Sequence, residues 1–199
     1  MPDRGLAVLL LAAGASTRLG QAKQLLPWKN GNLLDHAIRT ALLQSPEVYV
    51  VLGAQREIIK SRTDLSNVTP IDNEDWEKGM GHSIAIGMRH IISHTTPTAV
   101  LIMLVDQPLL ETEHYGRLRT RFFSGDRQIV ATSYGSKPGV PAIFGPKMFD
   151  GLAALDGAMG ARRFIRSQSA YTASLPPFGN ATDIDTMDSY RQLYAHYGT

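Results

Sequence analysis

The stretch Leu9 to Leu26, LLLAAGASTRLGQAKQLL, decides the reading of this chain. It continues the apolar run that begins at Val8, suited to a central strand. Ala12, Ala13, Gly14 and Ala15 follow, small enough for the backbone to come close to a ligand. Arg18 and Lys23 then supply positive charge. A nucleoside triphosphate with its metal still carries net negative charge, so backbone N–H groups followed by two cations meet both its geometry and its electrostatics. Taken alone, the loop also reads as a small-residue turn with two solvated cations. Its spacing excludes the GxxxxGK[ST] loop, because Gln21, Ala22, Lys23 and Gln24 follow Gly20. It also excludes the dinucleotide GxGxxG, since no glycine stands at the intermediate spacing.

Working outward, strand-like apolar runs recur at Leu6 to Leu11, Val48 to Leu52, Val68 to Ile71, Ala99 to Val105 and Ile129 to Thr132, mostly separated by helix-like stretches. Such alternation predicts an α/β fold with a mostly parallel central sheet and helices on both faces. Leu34, Ile38, Ala41 and Leu42 form one apolar helical face, and Ile84, Met88, Ile91 and Ile92 another. Lys137 to Phe144, with Pro138 and Pro141, reads as extended, a candidate antiparallel insertion.

Ligands of open α/β sheets gather at the carboxyl ends of the strands. The fourth apolar run ends there in Asp106-Gln107-Pro108. Asp106 is a candidate divalent-metal ligand; it also reads as a turn-forming residue that caps the helix beginning near Glu111. TDIDTMDSY places Asp183 and Asp185 two residues apart, on one side of an extended segment. Magnesium usually takes one or two protein carboxylates, so Asp106 and Asp185 suffice for it. Asp188 reads as a first-turn acid of the last helix.

Composition bounds the function. Twenty basic against eighteen acidic residues leave a formal charge of +2, too little to argue for nucleic acid or a membrane as the main partner. The absence of cysteine removes disulfides, thiolate metal sites and cysteine nucleophiles. The apolar run Leu6 to Ala12 falls short of the roughly 20 residues a membrane span needs, and Asp3 with the adjoining loop argues against a cleaved signal; the expected compartment is the cytoplasm. At 199 residues with 43% hydrophobic content, the expectation is one domain, 1–199. His90 and His94 lack the glutamate of HExxH, and Ser16 lacks the GxSxG setting of a hydrolase nucleophile.

The opening stretch resembles the signature LAAGxSxRxGxxKxLL of the nucleotidyltransferases related to molybdenum cofactor guanylyl- and cytidylyltransferases. Ala12, Ala13, Gly14, Ser16, Arg18, Gly20, Lys23, Leu25 and Leu26 fill it in order. The resemblance implies a Rossmann-like three-layer nucleotidyltransferase fold, with Leu11, Ala12, Ala13, Gly14 and Ser16 against the nucleotide. Arg18, Lys23, Asp106 and Asp185 carry catalysis in that reading. Asp106, from the DxP turn, and Asp185, from DIDTxxD, hold Mg²⁺ or Mn²⁺, with Asp183 as helper.

The loop DNEDWEKGMGHS, Asp72 to Ser83, is similar to the N…W…GMxxS pattern of the family's cytidylyltransferases, whereas the guanylyl enzymes usually show PLAG there and LAGG in the first loop. By this resemblance Asn73, Gly79, Met80, Gly81 and Ser83 bind the nucleotide and favour CTP. GVPAIF resembles the family's G[HVR]PxxF element beside the acceptor, which implicates Gly139 and Pro141. GAMGARRFI resembles GDxGARxxL and implicates Gly160 and Arg162, although Ala158 stands where the family usually has Asp. The implied reaction joins CMP from CTP to the molybdenum cofactor with release of pyrophosphate, and the implied partner is a recipient molybdoenzyme or its chaperone. Transfer from GTP or another triphosphate on the same scaffold, and a non-catalytic cofactor-delivery module, are the alternatives.

Overall fold

The structure, a computed structural model, describes residues 5–157 and 159–198. Ala158, and with it the departure from GDxGARxxL, lies outside the described residues.

Seven strands form one sheet: β1 (Leu6–Ala12), β2 (Val48–Leu52), β3 (Thr69–Asp72), β4 (Ala99–Leu104), β5 (Ile129–Tyr134), β6 (Lys137–Phe144) and β7 (Thr172–Leu175). Their order across the sheet is β3-β2-β1-β4-β6-β5-β7, and only β6 runs antiparallel to its neighbours. The alternation of apolar runs therefore forms the mostly parallel sheet it predicts, and Lys137 to Phe144 is the antiparallel element.

Every residue of β1 and β2 is buried, because both faces of the sheet are covered. Leu6, Val8 and Leu10 point into one apolar layer, shared with α1 (Leu33–Leu42), α4 (Thr112–Phe123) and α7 (Met187–Tyr197). Ala7, Leu9 and Leu11 point into the other, shared with α3 (Met80–His94), α5 (Phe149–Ala153) and α6 (Ala161–Ser167). This two-residue alternation produces the three-layer architecture.

Helix starts are set by local chemistry. Asn32 accepts from the Asp35 N–H while the Asp35 carboxylate accepts from the Asn32 N–H, a reciprocal cap that fixes where α1 begins. α4 starts at Thr112, next to the position read as its beginning, but its N-cap is Glu111 and Asp106 does not cap it.

β1 and β4 are parallel neighbours, with Leu11 opposite Leu104. The strand following β1 lies on one side of this pair and those following β4 lie on the other. Strand order thus reverses between them, which opens a crevice at their carboxyl ends.

Candidate active site

The loop that leaves β1 is held by its own side chains. Ser16 takes a left-handed conformation (φ 55°), as does Gly20 (φ 70°), turning the chain back on itself. The Ser16 hydroxyl accepts the Lys23 backbone N–H at 3.2 Å. Gln24, almost fully buried, donates from Nε2 to the carbonyls of Ala12 at 2.6 Å and Gly14 at 3.1 Å. These bonds fasten Lys23 and Gln24 across the loop. Gln24 was not singled out in the sequence, although it stands beside Lys23; only closure of the loop shows what it binds.

Lys23 projects its ammonium between two carboxylates, 2.8 Å from Asp106 Oδ2 and 3.3 Å from Asp185 Oδ1. Arg18 reaches the other Asp185 oxygen at 3.1 Å. Residues far apart in sequence are thereby gathered at the ends of β1 and β4. The link from Asp106 to the C-terminal segment is a single backbone hydrogen bond. Ile184 is buried and donates its N–H to the Asp106 carbonyl at 2.9 Å, which brings the flanking Asp183 and Asp185 to the same region.

Asp183 has a different partner from Asp185. Gln107 Nε2 donates to Asp183 Oδ1 at 2.8 Å and to the Tyr134 hydroxyl at 2.9 Å, and that hydroxyl donates to the Val140 carbonyl at 2.7 Å. Burial pushes the Asp183 carboxyl above the ordinary carboxylate range; the Gln107 bond opposes the shift, and the charges of Asp106 and Asp185 reinforce it. Burial likewise pushes the Tyr134 hydroxyl up to about 12, so it serves as a neutral hydrogen-bonding group. Gln107 and Tyr134 are site residues that the sequence reading missed.

A metal fits at Asp106 and Asp185. Asp106 Oδ1 is buried without a hydrogen-bond partner, and the Lys23 ammonium already occupies a cationic position between the two carboxylates. Among the described residues no group of three or more His, Asp or Glu side chains is placed to hold an ion. The geometry therefore presents a pair of carboxylates rather than a triad, within the one or two that magnesium usually takes.

Beside these charges opens a cleft of about 350 Å³. Leu11, Ala12, Ala13 and Gly14 form one wall with Lys23 and Asp106; Trp76, Gly79, Met80 and Ser83 form the other. Asn73 does not line it. Fully buried, it donates from Nδ2 to the Ser83 hydroxyl at 2.9 Å and so pins the end of β3 to the first turn of α3. Gly79, at φ 104°, needs a conformation that side chains rarely adopt. A Cβ at Gly81 would strike the Asp156 carbonyl, as one at Gly157 would strike the Lys78 carbonyl. The two glycine-bearing motifs thus meet backbone to backbone, which accounts sterically for glycine at both positions.

The residues assigned to the acceptor divide into two groups. Gly139 and Arg162 come together at Tyr134, with the Arg162 guanidinium 5.9 Å from the ring centroid. Pro141 is buried in β6, its carbonyl accepting from the Thr132 hydroxyl at 2.7 Å, and Gly160 precedes the first turn of α6.

Residues 8–172 match the MobA-like NTP transferase domain. The chain belongs to that family. The matched span contains the glycine loop, Lys23 and Asp106, whereas Asp183 and Asp185 lie beyond it. Over 194 residues the chain is 34% identical to a nicotine blue oxidoreductase of Paenarthrobacter nicotinovorans, covering 94% of this chain and 93% of the relative. It is 36% identical over 77 residues to the molybdenum cofactor cytidylyltransferase of Escherichia coli, covering 38% of this chain and 40% of that one. Rv0371c from Mycobacterium tuberculosis superposes with a TM-score of 0.84 at 27% identity, over 97% of this chain and 98% of that one. A further structure of Rv0371c is a complex with manganese, with a TM-score of 0.80 at 25% identity over 96% of this chain and 98% of that one. Among the described residues of the present chain, no helix is long and apolar enough to cross a membrane.

Proposed function

We propose that this MobA-like NTP transferase is a divalent-metal-dependent cytidylyltransferase. Its donor is CTP and its acceptor the molybdenum-bound pterin cofactor. The terminal phosphate oxygen of the acceptor forms a bond to the α-phosphorus of CTP while the bond to pyrophosphate breaks, giving the cytosine dinucleotide cofactor and pyrophosphate. A phosphate monoester is already largely dianionic near neutral pH, so no strong general base is needed.

The observation that carries this reading is the convergence of Lys23, Arg18, Asp106 and Asp185 beside the small-residue wall of the cleft. Arg18 and Lys23 neutralise charge developing on the departing pyrophosphate. Asp106 and Asp185 hold Mg²⁺ or Mn²⁺, which when bound supplies Lewis-acid stabilisation of phosphate charge. Ala13 and the Gly79 to Ser83 segment take the base. The protein works in the cytoplasm as one domain and hands its product to a molybdoenzyme or that enzyme's chaperone.

Pyrophosphate release measured with CTP, GTP, ATP and UTP, each with and without molybdenum cofactor, tests the assignment. Release that needs both CTP and the cofactor is expected. Preference for GTP removes the donor assignment and keeps nucleotidyl transfer; tight cofactor binding without metal-dependent release favours a delivery module. A second reading, oxidoreduction of nicotine blue, is favoured by the 34% identity to the Paenarthrobacter nicotinovorans relative along almost the whole chain. Loss of nicotine blue absorbance in the presence of a reduced nicotinamide nucleotide and this protein selects it.

A further inference from the structure

Gln107 stands just beyond β4, next to Asp106, and is almost fully buried, yet its side-chain oxygen has no hydrogen-bond partner among the described residues. A buried carbonyl left unpaired is costly, so the other end of the amide has to compensate. That end, Nε2, donates at 2.8 Å to Asp183 Oδ1 and at 2.9 Å to the Tyr134 hydroxyl. The orientation of the amide is fixed by these partners. The Tyr134 proton is committed to the Val140 carbonyl and a carboxylate only accepts, so both neighbours demand a donor. Glutamate, methionine or leucine would offer none, and lysine would offer one only with an added charge. The anchor is part of the sheet, since Tyr134 ends β5 and Val140 lies in β6, the strand paired with it.

Without this anchor Asp183 would have another place to go. It adjoins Ile184, whose N–H is bonded to the Asp106 carbonyl, and it lies near enough to Asp106, Asp185 and Lys23 to feel their charges. An octahedral ion held by two carboxylates keeps its remaining positions for water and phosphate oxygens; a third carboxylate takes one of them and opposes the triphosphate by its charge. Resting on the metal reading of Asp106 and Asp185, we propose that Gln107 is a positioning residue that withholds Asp183 from the metal, so that the site keeps two carboxylate ligands and an open face for the triphosphate. A neutral amide does this without disturbing the balance of Lys23 and Arg18 against Asp106 and Asp185.

Mn²⁺ is the probe. In Gln107→Leu the released Asp183 should join the ion, so that calorimetric Mn²⁺ affinity without nucleotide rises about tenfold and water-proton relaxation counts fewer metal-bound waters. The CTP affinity of the Mn²⁺-loaded variant should fall by about tenfold as the open face closes. Adding Asp183→Asn to Gln107→Leu removes the intruding carboxylate and should restore all three values, a rescue that a loosened fold does not give. Asp183→Asn alone, whose side-chain oxygen still accepts from Gln107, should keep the wild-type Mn²⁺ affinity and water count, and it judges the proposal even where Gln107→Leu does not fold. Weaker Mn²⁺ binding in Asp183→Asn makes Asp183 a ligand already and overturns the proposal. So does Mn²⁺ binding that needs Asp106 yet is unmoved or weakened in folded Gln107→Leu. Mn²⁺ binding indifferent to Asp106→Ala is a separate failure: it removes the metal reading itself, and with it the role given to Gln107.

Discussion

Replacing Lys23 with Met removes the charge between Asp106 and Asp185 while keeping the length of the side chain. At an effective dielectric of about 20, an ammonium 2.8 Å and 3.3 Å from two carboxylate oxygens gains roughly 6 and 5 kcal/mol of Coulomb energy. Desolvation cancels most of that. The Lys23 side chain is 13% exposed and that of Asp106 19%, between the surface and buried limits, whereas Asp185 at 40% is well solvated. The net loss is then about 2 kcal/mol, nearly all of it from the Asp106 pair. For a chain of this size that lowers the melting temperature by about 4–8 °C without metal.

The same charge opposes a divalent ion, which has to displace the ammonium before it can take both carboxylates. Lys23→Met should therefore bind Mn²⁺ alone about 30-fold more tightly, the equivalent of the 2 kcal/mol. Its triphosphate affinity should fall at the same time, more than its affinity for CMP, because the β- and γ-phosphates lose their partner. Thermal melts with and without MnCl₂ and calorimetric titrations with Mn²⁺, CTP and CMP measure all three effects. An unchanged melting temperature together with unchanged Mn²⁺ affinity would mean that the ammonium does not reside between the carboxylates in solution, and the reasoning fails.

Asp106→Ala and Asp185→Ala should each lower turnover on the order of a thousandfold with native circular dichroism, and near wild-type rates in either folded variant remove that residue from catalysis. His114 is fully buried, accepting the Phe178 N–H at Nδ1 and bonded through Nε2 to the Thr132 hydroxyl, which itself donates to Pro141; the imidazole is thus neutral, and burial, with Arg117 adding, lowers it from 6.5 to about 4. Because the unfolded chain takes up the proton first, its contribution is whole above pH 6.5 and fades as pH falls toward about 4, on the order of 3 kcal/mol in all. Denaturant melts of wild type and His114→Gln across that range should converge at the acid end; a constant gap between them shows that His114 does not set the slope. Ala13→Gly combined with recasting the Gly79 to Ser83 segment toward PLAG should shift the CTP-to-GTP ratio of kcat/KM toward GTP, and a fixed ratio in the folded variant places base selection elsewhere.

The sequence by itself determined the layer architecture, because burial on both faces of a parallel sheet demands continuous apolar runs and these stand out at β1, β2, β4 and β5. It also marked the loop with Lys23 and the acid ending β4, since strand ends are where such sheets hold ligands. β3 was legible apart from a one-residue shift, to Thr69–Asp72. β7 was not. TASL carries no apolar run, and its strand exists because it pairs with β5 from Ile129 opposite Thr172 onward.

Only the tertiary structure decided which charges meet. Spacing cannot reveal that Ile184, bonded to the Asp106 backbone, sends Asp185 to Lys23 and Asp183 to Gln107. Nor can it show that Gly81, in the first turn of α3, and Gly157 sit at a close backbone approach between their two segments. Gln24, Gln107 and Tyr134 carry no local pattern, because their roles lie in hydrogen bonds to backbone or side chains that only the folded chain brings near. Local propensity and periodicity write the scaffold into the sequence, whereas contacts between distant segments, on which the chemistry depends, arise only when the scaffold closes.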